Sequence, residues 1–141
     1  MNSYVKWFAP VVLIGVLINI LGMALPFVFT PTWFLAFFSV PGGGGSIIWM
    51  RQAGILLFFI SILYVPGGIN PFRYRLNAQF AVAARMTIGL YWLWLVFLDG
   101  QPHSFLIFGA LDCIYATIQW VLLWLIFKEE ERYASPPDGA A

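Results

Sequence analysis

A chain of 141 residues that is 62% hydrophobic and only 9% charged, with a formal net charge of +1, lies far from soluble proteins, in which about 25% of residues are charged. That balance argues against nucleic acid as a partner, and the apolar excess excludes an ordinary water-soluble domain. The single cysteine, Cys113, leaves no internal disulfide to form.

Crossing the hydrocarbon layer as a helix takes roughly 20 apolar residues, and four stretches answer that need: 8–29, 50–65, 79–98 and 104–127. They use most of the chain and leave no room for a soluble catalytic module. The sequence therefore predicts an all-α integral membrane protein, an antiparallel four-helix bundle over 1–127 followed by a polar cytoplasmic tail over 128–141.

The first span begins after Lys6, and Gly22-Met23-Ala24 has the small-x-small pattern of a signal-peptide cleavage site. The apolar run is longer than a signal-peptide core and continues through Phe27-Val28-Phe29, so we read it as a retained span. Next, residues 31–40 carry Trp33, Phe34, Phe37 and Phe38, too apolar a set to float in water. An aromatic interfacial or re-entrant segment is expected there, followed by a flexible turn at Pro41 and glycines 42–45. Those glycines do not form a phosphate loop, because the Lys and Ser/Thr of that motif are missing.

The second span opens with Arg51 and runs into Pro66, Gly67, Gly68, Asn70 and Pro71, then Phe72, Arg73, Tyr74 and Arg75. Helix breakers followed by basic and aromatic anchors predict a hairpin at head-group level, in preference to a specific anionic-lipid site. The third span holds Arg85. The turn at 99–103 contains Asp99 and the only histidine, His103, a small acid/base pair better explained as a polar turn. Past the fourth span, Glu129-Glu130-Glu131 and Pro136-Pro137 suggest a helix end entering a disordered terminus. Lys6, Arg73, Arg75, Lys128 and Arg132 fall on one side against Arg51 alone on the other, which puts both termini in the cytoplasm.

Residues three or four apart share a helix face, and each span places small or polar residues on such a stripe: Gly15, Asn19, Gly22 and Pro26; Arg51, Gly54, Phe58 and Ser61; Arg85, Gly89 and Trp92; Asp112, Tyr115, Ala116 and Gln119. Small residues let helices approach and polar ones avoid lipid, so the four stripes imply a shared interior. By depth, at about 1.5 Å per residue, Arg51 is expected to meet Asp112 and Arg85 to meet Gln119, with Asn19 between them. Asn19, Arg51, Arg85, Asp112, Tyr115 and Gln119 form the candidate ligand-binding set, because ionisable groups inside a membrane are expensive and mark functional sites by default. The competing reading is a polar staple that fixes helix register.

Haem, metal and nucleophilic chemistry lack support: His103 and Cys113 are each alone, and Ser61 and Ser104 have no neighbouring base. No cofactor is called for, although a quinone or lipid would suit the interior. Seven Trp and fourteen Phe furnish interface belts and lipid-facing surface, or faces that bury against other subunits.

With Arg51-Gln52-Ala53-Gly54, Pro71-Phe72-Arg73-Tyr74, Arg85 and Leu111-Asp112-Cys113 in this order, the segment 50–124 resembles the DoxX-like group of small four-helix membrane proteins. Some members of that group are similar to membrane subunits of quinone-linked oxidoreductases. The resemblance implies that the interior Arg and Asp matter, and it assigns no catalytic residue. Three functions follow as expectations. The first is a non-catalytic accessory subunit of a larger complex in a bacterial inner membrane, partnered by lipids and other membrane subunits and linked to a quinone-dependent oxidoreductase. The second is a bundle that binds a quinone, lipid or other amphiphile at an interior Arg/Asp site. The third is a proton-coupled carrier acting as an oligomer.

Overall fold

The computed structural model describes residues 4–40 and 44–134, and among these every regular element is helical. Four spans, Val5–Phe29, Ser46–Ile69, Arg75–Phe97 and His103–Tyr133, are long and apolar enough to cross a membrane. The chain is a multi-pass membrane protein by this measure. Its surface agrees: Trp7, Leu76 and Phe97 are at least 70% exposed, a condition that water penalises and lipid does not.

The first span is built in three parts. α1 (Val5–Asn19) passes into a π turn (Ile20–Ala24) and then α2 (Leu25–Phe29). The Leu25 N–H donates five residues back to the Ile20 carbonyl. Pro26 explains the wide turn, since it offers no N–H and its ring crowds the preceding turn of a regular helix. α3 (Pro31–Phe37) starts on a proline, whose fixed φ suits a first helical position. It ends in a Schellman arrangement, with Ser39 at φ 55°, its N–H donating to Ala36 and the Val40 N–H to Leu35. The predicted aromatic segment is thus a helix. Of the predicted glycine turn, residues 41–43 lie outside the described residues, and Gly44 already begins the next helix.

α4 (Gly44–Ile69) extends beyond the expected 50–65 at both ends and runs through Pro66, Gly67 and Gly68. Their residue types predict a break, but inside a membrane the backbone has no water to turn to and stays helical where neighbours supply bonds and space. Here Asn77 Nδ2 donates to the Leu63 carbonyl at 3.0 Å. The glycines supply the space: Gly67 lies against the backbone of Asn77 and Ala78, and Gly68 against Val12. Replacing Gly67 with alanine would put a Cβ 2.5 Å from the Ala78 nitrogen, an atom no rotamer change can move. Gly67→Ala is expected to lose about 1–3 kcal/mol, seen as a lower Tm in detergent; an unchanged Tm would refute the tight crossing.

α5 (Arg75–Phe97) starts four residues before the expected boundary of the third span, and α6 (Leu106–Ala134), preceded by one 3₁₀ turn (His103–Phe105), continues past the expected end of the fourth. The helix therefore enters the segment read as a tail, and residues 135–141, including Pro136-Pro137, lie outside the described residues. Gly100 at φ +65° closes the α5–α6 link, and Gln101 Nε2 donates to Asp99, so Asp99 is engaged by Gln101 while His103 is exposed.

α1 packs on α4, α4 on α5, α5 on α6 and α6 on α1, while the backbones of the diagonal pairs, α1 with α5 and α4 with α6, stay apart. The four long helices close a ring whose core includes Phe8, Val12, Tyr64, Ala78, Leu123 and Ile126. At the other end of the ring α3 folds back on the spans. Phe34 packs on Phe27 and Phe108, and Phe38 on Phe108, with ring centroids 4.7–6.0 Å apart, Trp92 joins Phe108 at 5.7 Å, and Ser104 Oγ donates to the Phe38 carbonyl.

Candidate functional site

Arg85 projects from α5 into the centre of the ring and is 5% exposed. Its Nη1 donates to Asp112 Oδ1 on α6 at 3.1 Å. The guanidinium carbon stands 5.5 Å from the Tyr115 ring centroid. Across the ring, a Cβ at position 15 would fall 2.8 Å from Arg85 Nη2, so the absence of a side chain at Gly15 makes the seat for the cation.

The observed ion pair corrects both expected pairings. Arg51, expected opposite Asp112, is exposed on α4, and Gln119, expected opposite Arg85, is buried with its Oε1 lacking a hydrogen-bond partner. Arg85 reaches Asp112 because α5 begins at Arg75 rather than Gln79, which lifts Arg85 toward mid-membrane by about 6 Å, and the long side chain covers the rest. Lone partners buried in so low a dielectric would be unfavourable, and pairing is what makes the two charges tolerable there.

A cavity of about 220 Å³ opens beside the pair, lined by Gly15, Ile18, Asn19, Gly22, Met23, Arg85, Phe108, Leu111, Asp112 and Tyr115. Four of the six candidate residues, Asn19, Arg85, Asp112 and Tyr115, thus share one site, whereas Arg51 and Gln119 do not line it. Sequence reasoning missed Ile18, Met23, Phe108 and Leu111. The signal was present, because 108, 111, 112 and 115 repeat at helical spacing, as do 15, 18, 19 and 22. The apolar members escaped notice since they look like any lipid-facing residue.

Arg85 has donors to spare. Its Nε and Nη2 are buried and without a hydrogen-bond partner, although buried donors are nearly always satisfied and each unsatisfied one is costly. Among the described residues no group of three or more His, Cys, Asp or Glu is arranged to hold a metal ion. No family model, curated protein or solved structure matches the chain.

Proposed function

We propose that the protein is an antiparallel four-helix bundle of the bacterial inner membrane, with both termini cytoplasmic, that binds the polar head of a membrane amphiphile such as a quinone or lipid at the Arg85–Asp112 cavity. One observation carries the reading: a buried guanidinium with two unpartnered nitrogens lines a cavity whose other walls are largely apolar, the composition of a small-molecule site. Neighbour order supports the antiparallel arrangement. Tyr4 at the start of α1 lines one pocket with Lys128 and Arg132 of late α6, and Arg75 at the start of α5 is 3.9 Å from Glu130. These basic residues gather at one end, as the positive-inside rule asks of a cytoplasmic face. α3 then lies at the outer interface.

In this reading the chain is a DoxX-like protein whose interior Arg and Asp are Arg85 and Asp112. An accessory-subunit role rests on the outward aromatics, and lipid contact alone accounts for those; the Arg85 cavity has no such simple explanation, which places binding first.

Isolation in mild detergent followed by mass spectrometry of the extract tests the reading. The wild-type chain is expected to retain an amphiphile stoichiometrically, and Arg85→Met/Asp112→Leu, which removes both charges together, to lose it by about tenfold or more. Equal retention by the two chains would refute the assignment of the cavity.

A further inference from the structure

Charge balance and volume at this cavity restrict what its occupant can be, granted the reading that it is a binding site. At about 220 Å³ the space falls below the range of about 300–1,000 Å³ typical of sites that enclose a whole small ligand. Only a head group fits, and the remainder must leave through the wall. The lining shows where: Ile18 of α1 and Leu111 of α6 are each 45% exposed, so the mouth lies between α1 and α6 on the lipid-facing side. Toward α5 the cavity is bounded by Arg85, held by Asp112 of α6, and toward α3 by Phe108, itself covered by Phe34 and Phe38.

The charges select the head. Asp112 at 3.1 Å already balances the single positive charge of Arg85, leaving the site neutral. An anionic head accepting from Nε or Nη2 would stand beside the Asp112 carboxylate, and like charges repel strongly where water is scarce. An uncharged acceptor takes the same N–H groups without that penalty. Asn19 and Tyr115, the remaining polar lining, add neutral donors and acceptors. The geometry points to an uncharged amphiphile whose head offers a carbonyl oxygen to Arg85 Nε and Nη2 while its tail extends between α1 and α6 into the bilayer. A quinone ring and the ester of a neutral lipid share this chemistry.

Calorimetric titration of the purified chain in dodecylmaltoside, a detergent without a carbonyl, distinguishes the cases with three probes of matched tail length: a decyl-substituted benzoquinone, methyl decanoate and decanesulfonate. The wild-type chain is expected to bind at least one carbonyl probe about tenfold or more tighter than the sulfonate. Tighter binding of the quinone assigns the head to a ring carbonyl, and tighter binding of the ester assigns it to a lipid. Asp112→Asn, which leaves Arg85 uncompensated, is expected to shift the preference toward the sulfonate, a reversal that a merely structural Asp112 would not produce. Sulfonate binding as tight as that of either carbonyl probe in the wild-type chain overturns the neutral-head assignment while leaving a binding site in place. Absence of binding by all three overturns the site itself. The wild-type comparison decides the matter even where the variant fails to fold.

Discussion

Arg85→Ala should lower stability by about 3–5 kcal/mol, because it leaves the Asp112 carboxylate buried without its partner. The wild-type contact is a 3.1 Å hydrogen-bonded ion pair whose cationic side chain is only 5% exposed. Asp112→Ala should do comparable damage for the converse reason, since a guanidinium that already has two unpartnered nitrogens would lose its remaining bond. The double variant Arg85→Met/Asp112→Leu should recover most of the loss, as apolar replacements of a buried pair are often neutral or stabilising. Thermal unfolding of the four chains in one detergent measures the cycle. If the double variant is as unstable as the singles, the pair is holding the helices together and is not a tolerated expense of binding.

Gly89→Val is expected to have the second-largest effect and to act on the site from outside it. A Cβ at 89 would lie 2.8 Å from Cys113 Sγ, 2.9 Å from the Cys113 nitrogen and 3.1 Å from Asp112 Cβ. The nitrogen belongs to the α6 backbone, so the branched side chain must push α6 away from α5 and carry Asp112 with it. A loss of about 1–3 kcal/mol is typical of such overpacking, and weakened amphiphile retention should accompany it. Gly22→Ala supplies the contrast: among the described residues nothing outside its own turn lies within 4 Å of the Cβ it would add, and alanine is the better helix former by about 1 kcal/mol. Its Tm should hold or rise. Equal losses at positions 22 and 89 would show that the helices do not meet as described.

What could be read from the chain before its structure was known divides along physical lines. Apolar length alone placed four helices, because lipid forces any spanning segment to satisfy its own backbone. The boundaries moved wherever proline and glycine were read by their behaviour in water: Pro66, Gly67 and Gly68 continue α4 because Asn77 and close packing support them. Helical spacing collected Asn19, Arg85, Asp112 and Tyr115, which do share a cavity. Pairing failed, since it depends on depth and rotation together. A four-residue error at the start of α5 was enough to send Arg85 to Gln119 in place of Asp112. Spacing alone sets Phe108 on the face of Asp112, but Met23 falls on no such stripe, and only its placement in the cavity wall marks it.

The π turn at Ile20–Ala24 has a consequence for the first span as a whole. On one side of it, Gly15 must present its bare backbone to Arg85; on the other, Phe27 and Val28 must meet Gly54 at contact distance. A regular helix would lock these two surfaces at one fixed angular offset. The additional residue in the wide turn resets that offset by about a quarter of a rotation, since an α-helix turns once in about 3.6 residues. The two halves of the span are thereby free to answer to different neighbours, as two gears on one shaft do when a coupling lets their teeth be set independently.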